Sequence, residues 1–144
     1  MYFIDRNEIE KTLVYIEGLV TQMENNSFHS YIEQLSLERI VHMTIEAMLD
    51  VGNMMIDGFI MRDPGSFTDI IDILVDEKVL PQTESDNYKA IINLRKMLVK
   101  DYLNIDHSFI LQVINENKDA LTMFGQKVRD YLDKETGVAT TFTK

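Results

Sequence analysis

Residues 37–60 read LERIVHMTIEAMLDVGNMMIDGFI, and their periodicity decides the fold class. Leu37, Val41, Thr44, Ile45, Met48, Leu49, Gly52, Met55, Ile56 and Phe59 recur at three- and four-residue steps, with Ile40 and Ile60 beside them. That spacing lays one broad apolar face along a helix. No proline interrupts residues 31–61, so one long helix is expected there, wide enough on its apolar side for more than one neighbour. Gly52 costs about 1 kcal/mol against alanine in mid-helix, which points to a close helix approach or a kink.

The other side of the same helix carries His42, Glu46, Asp50, Asn53 and Asp57, again three or four apart. A His-x3-Glu-x3-Asp run on one face is compatible with metal ligation. A solvated or interface-lining face fits better, because one histidine with carboxylates lacks the paired-ligand spacing of a strong metal site. No metal or cofactor is expected.

Outward from this helix the chain reads as further helices. Ile9, Leu13, Ile16, Val20 and Met23 form a single stripe over 5–23, with Asp5 as N-cap and Glu8 three residues on. Arg62-Asp63-Pro64-Gly65-Ser66 is the clearest stop, after which Ser66 can cap a short helix over 67–79. A turn at Leu80-Pro81-Gln82-Thr83 leads to a helix over 84–103, with Thr83 and Asp86 in capping positions. Asp106 or Ser108 then caps a last helix with Ile110, Ile114, Asn117, Leu121, Phe124, Val128 and Tyr131 in a seven-residue repeat, where Asn117 reads as a buried polar register-setter. No segment alternates with period two. The expectation is an all-α, up-and-down bundle of about five helices in one domain over 1–136, with a flexible tail over 137–144.

Composition narrows the function classes. The 144 residues hold no cysteine, which removes disulfides and thiolate metal sites. Neither a secretory leader nor a membrane span is legible, so a soluble, cytoplasmic protein is expected, with no membrane partner. The net charge of −10 opposes non-specific binding to nucleic acid, and DNA is not expected as a partner. The charge is uneven, however: residues 1–86 hold 17 acids and 5 bases, residues 87–144 hold 7 acids and 9 bases. Polyanion contact therefore belongs to the second half. Glycine-rich phosphate loops, Gly-x-Ser-x-Gly elbows and His-Glu-x-x-His pairs are absent.

Within the second half, the window 87–100 carries Lys89, Arg95, Lys96 and Lys100 and no acid. It runs into Arg95-Lys96-Met97-Leu98-Val99-Lys100-Asp101-Tyr102, in which Arg95 and Tyr102 stand about two turns apart on one helical face. Lys100 is five positions from Arg95, about 140° round a regular helix, so the two meet only at a frayed helix end or across a dimer two-fold.

This strip resembles the motif of the HepT family of the HEPN superfamily: arginine, four residues, histidine, one residue, tyrosine, often within R-N-x-L-V-H-x-Y. Leu49-Asp50-Val51-Gly52-Asn53 resembles the family's L-D-I-G-N, and Arg62 through Val79 is closest to the family's YutE-like branch. The resemblance implies a HEPN-like helical bundle and a homodimer whose arginine and histidine cleave RNA without metal in a shared cleft. It also implies a nucleotidyltransferase antitoxin, MntA-like, as partner, which modifies the motif tyrosine with AMP. On this chain the implied site residues are Arg95 for the phosphate, Lys100 at the histidine position and Tyr102 as the modification site. Lys100 is a departure, because lysine holds a phosphate but is a poor base unless burial lowers its pKa. Lys96 likewise replaces the asparagine. His107, seven residues beyond Lys100, and His42 on the long helix are both poorly placed to substitute. The expected function is thus a HepT-like RNase-toxin protein of a toxin–antitoxin system, with RNA cleavage reduced or lost. The alternative is a non-enzymatic dimeric helical module whose acidic first half binds a protein.

Overall fold

The protein's structure, a computed structural model, describes residues 4–143, with side chains through Glu135. The expected loose tail over 137–144 lies outside the described side chains. Among the described residues there are six α-helices, two short 3-10 turns and no strand: α1 (Arg6–Asn25), α2 (Tyr31–Gly58), α3 (Phe67–Asp76), α4 (Ser85–Val99), α5 (His107–Glu116) and α6 (Lys118–Thr143). None is long and apolar enough to cross a membrane.

Helix starts follow local chemistry. The Asp5 carboxylate accepts from the Glu8 N–H, Ser66 Oγ from the Asp69 N–H, and Asp106 from the Phe109 N–H. Ser30 and Glu33 close a reciprocal capping box at α2, satisfying two otherwise orphaned donors. At α4 the expected Thr83–Asp86 cap does not form. A 3-10 turn, Gln82–Glu84, winds directly into the helix and leaves α4 without a side-chain cap.

α2 is the central element and packs against α1, α3, α4 and α5. Leu37, Val41, Ile45, Met48, Met55 and Ile56 are all essentially inaccessible. Gly52 marks a close approach: a Cβ placed there would lie 2.4 Å from Ile70 Cγ2 on α3. α2 ends in a reversed turn, with the Met61 N–H bonded to the Ile56 carbonyl and Ile60 at φ 56°, an unfavourable backbone for a β-branched residue.

The expected last helix is two. Asn117 is buried at the break, where its side chain donates to the Val113 carbonyl (2.7 Å) and accepts from Asn87 (2.8 Å). Asparagine competes well with the helical ladder through such side-chain bonds, so the apolar repeat continues in sequence while the backbone turns. On the far side, Tyr88 is fully buried against Phe124 and donates to the Ala120 carbonyl at 2.8 Å.

Candidate functional site

Arg95 sits in the last turns of α4, where α2 and the start of α3 converge. Its Nε donates to Glu46 Oε1 on α2 at 2.6 Å, and its guanidinium carbon lies 4.4 Å from the centre of the Phe67 ring. The side chain is 22% exposed. A guanidinium held at its edge by a carboxylate and at its face by an aromatic ring has little rotational freedom left. Among the described residues neither terminal nitrogen donates a hydrogen bond, so the two-pronged end of the fork remains available for a planar anion.

Phe67 is presented by a rigid local structure. Arg62 grips Asp69 with two parallel bonds (2.8 and 2.9 Å), and the Gly65 N–H donates to the same carboxylate at 2.8 Å. The guanidinium and this N–H together hold the Asp69 carboxyl down at about 2. One helix further, Lys89 pairs with Asp72 at 2.6 Å and ties α3 to α4. α2 has already ended at Gly58, and Pro64, Gly65 and the Ser66 cap set the start of α3, whose first residue, Phe67, lies against Arg95.

Phe67, Ile92, Asn93, Arg95, Lys96 and Lys100 line one open cleft of about 330 Å³. Arg95 and Lys100 therefore border the same cleft within a single chain. α4 ends at Val99, and Lys100 is its C-cap, still in right-handed backbone with its N–H bonded to the Lys96 carbonyl, so its long side chain reaches the cleft from the helix end. A larger hollow of about 540 Å³ opens between the end of α3 and α6, but Arg95, Lys100 and Tyr102 are not among its lining residues. Tyr102 departs from its expected place. It lies not on the Arg95 face of α4 but in a separate 3-10 turn, 64% exposed, because the helix stops three residues before it.

The acidic stripe of α2 divides. Asp50, Asn53 and Asp57 are exposed, whereas Glu46 turns to Arg95 and also has His42 Nε2 at 3.4 Å. That Glu46 and Phe67 support Arg95 escaped the sequence reading, which weighed Glu46 only as a metal ligand or a solvated acid. The i, i+4 spacing of His42 and Glu46 was the available signal, but nothing in sequence says which helix lies beside them. No group of three or more His, Asp or Glu among the described residues could hold a metal, which leaves the His42–Glu46–Asp50 metal reading without a site. His107 starts α5 and pairs with Glu38 at 2.8 Å.

An all-helical bundle with an arginine clamped over a basic cleft near the end of its fourth helix defines a class. The family described as Ribonuclease HepT-like matches residues 9–128, and the chain belongs to that family. A candidate RNase of Bacillus subtilis, YutE, is 47% identical over 143 residues, 99% of each chain. The solved structure of that cytosolic protein superposes with a TM-score of 0.93 at 48% identity, covering 95% of this chain and 96% of the other. A tri-AMPylated HEPN toxin of Shewanella oneidensis, solved in complex with an MNT antitoxin, shares the fold at a TM-score of 0.74. It is 20% identical, with coverage of 85% and 96%.

Proposed function

We propose that this chain is a cytoplasmic, homodimeric RNase of the HepT type, acting on RNA without metal at the Arg95 cleft where two copies meet. Its cleavage is slowed, at the limit to RNA binding alone, by Lys100 standing at the motif histidine. The observation that carries the reading is the state of Arg95 in a chain of this family. Glu46 and Phe67 hold the guanidinium, neither terminal nitrogen donates a hydrogen bond among the described residues, and Lys96 and Lys100 line the same cleft. A preset fork loses little entropy on gripping a phosphate, and two lysines add point charge beside it. The cytosolic description of the 47–48% identical relative supports the compartment. Tyr102, largely exposed and three residues past the end of α4, is free of core packing and open to a nucleotidyltransferase antitoxin of the MntA type.

The test is RNA cleavage by purified protein in the presence of a metal chelator, with Arg95→Ala as control. Slow cleavage that the substitution abolishes is expected, and Lys100→His is expected to raise the rate. A protein that neither cleaves RNA nor binds it at low salt, where phosphate contacts are strongest, refutes the reading and favours a non-enzymatic interaction module.

A further inference from the structure

Lys100 at the motif histidine leaves the cleft without an obvious proton carrier, and Lys100 itself is exposed. A histidine nevertheless joins the Arg95 cluster from another helix. His42 Nε2 lies 3.4 Å from Glu46 Oε1, the same oxygen that Arg95 Nε reaches at 2.6 Å. Since both nitrogens reach one atom, they lie within about 6 Å of each other, and a single carboxylate oxygen joins the histidine to the arginine. The imidazole is 31% exposed, so solvent and a ligand have access to it.

We propose that His42 is the proton-transfer catalyst of this chain, oriented by Glu46 and taking over the role vacated at position 100. The inference rests on the RNase reading of the Arg95 cleft and deepens it. One carboxylate then organises both halves of the chemistry: it locks the arginine fork and fixes the imidazole with Nε2 toward itself, which leaves Nδ1 for substrate. In the step this permits, neutral His42 takes the proton of a ribose 2′-hydroxyl while that oxygen bonds to the adjacent phosphorus. The bond from phosphorus to the 5′-oxygen breaks, and the imidazolium just formed returns its proton to the departing oxygen. The products are a 2′,3′-cyclic phosphate and a 5′-hydroxyl, with no water, metal or other co-reactant consumed. Arg95 steadies the extra negative charge on the phosphoryl oxygens.

His107 is the internal comparison. It too is a half-buried histidine beside a glutamate, but among the described residues Glu38 has no hydrogen bond or ion pair to Arg95. The proposal therefore separates two histidines of similar setting by the carboxylate each one touches.

The experiment uses the full chain with a fluorescent single-stranded RNA in chelator, following cleavage rate, product ends and RNA affinity for the parent, His42→Ala, His42→Gln, His107→Ala and Arg95→Ala. Folding of each variant is checked by circular dichroism and melting. His42→Ala is expected to slow cleavage on the order of 10²–10⁴-fold, the usual contribution of a general acid–base, with RNA affinity changed less than about twofold. Added imidazole should restore part of the lost rate, and His107→Ala should cleave like the parent. His42→Gln still presents a polar N–H beside Glu46 but cannot carry a proton, so it must be as slow as His42→Ala. If it retains activity, His42 merely positions Glu46 and the proposal is overturned. Normal cleavage by His42→Ala beside a dead Arg95→Ala overturns it as well, while leaving the RNase reading intact. A parent with no cleavage at all overturns the proposal together with the catalytic part of that reading.

Discussion

Substituting Gly52 by alanine sets two opposing effects against each other at the α2–α3 crossing. In a solvent-exposed helix the change stabilises by about 1 kcal/mol, because alanine loses less backbone freedom on folding. Here the new Cβ would lie 2.4 Å from Ile70 Cγ2, with Leu74 Cδ1 in ordinary contact at 3.7 Å. Carbon atoms in good contact are about 3.5–4.0 Å apart, so the overlap exceeds about 1 Å. Relief is hard to find. Ile70 is buried, its branched Cβ is stiff about χ1 in a helix, and Leu74 is fully buried behind it. The overpacking penalty should therefore fall near the top of the usual range, about 3 kcal/mol, for a net loss of about 2 kcal/mol. In an Ile70→Ala background the nearest remaining atom of residue 70 is its Cβ, at 3.9 Å. There the same Gly52→Ala change should stabilise by about 1 kcal/mol, a coupling of about 3 kcal/mol between the two sites. Urea unfolding of the four proteins at one fixed protein concentration measures this, the fixed concentration removing any contribution from association. A Gly52→Ala protein as stable as the parent, or effects additive within about 0.5 kcal/mol, would refute the account of why glycine stands at this position.

Four further outcomes are expected. Tyr88→Phe removes a buried hydrogen bond of 2.8 Å to the Ala120 carbonyl and should destabilise by about 1 kcal/mol, read as a lower urea midpoint with unchanged slope. Asp69, held at about 2 by Arg62 and the Gly65 N–H, contributes stability that is fully present above its ordinary value of 3.8 and disappears as pH falls through 2. Asp69→Asn should therefore flatten the parent's acid destabilisation in that window, and superimposable pH profiles would contradict it. Phe67→Leu takes away the ring face under Arg95; on the usual scale of a partly exposed cation–π contact, RNA affinity should fall about two- to fivefold, measured by anisotropy. Ile60→Gly relieves a β-branched residue at φ 56° on an exposed position and should raise the melting temperature, by about 0.5–1 kcal/mol of stability.

The helical class and most helix starts were legible because they depend on nearest-neighbour chemistry. Periodic apolar residues make a helix amphipathic wherever it ends up, and Asp5, Ser66 and Asp106 cap helices through atoms three residues away. Arg95 was singled out for a different reason, its match to the family strip. Errors arose where a local pattern was outcompeted. The heptad from Ile110 to Tyr131 continued through Asn117, yet a side-chain bond to Val113 and a partner on α4 split the helix there. Tyr102 kept its two-turn spacing from Arg95 in sequence and lost it in space when α4 stopped at Val99.

By itself, then, the sequence determined an all-helical chain of this family, the caps at Asp5, Ser66 and Asp106 and the special status of Gly52, and it singled out Arg95 as a candidate. Only the tertiary structure decided which carboxylate and which ring hold that arginine, and that His42 shares its carboxylate. Glu46 looked like one more acid on a solvated stripe, since helical periodicity specifies which residues share a face but not which neighbour the face meets. That choice belongs to the packing of α2 against α3 and α4, and it turns one glutamate of the polar stripe into the joint between an arginine and a histidine 53 residues apart in the chain.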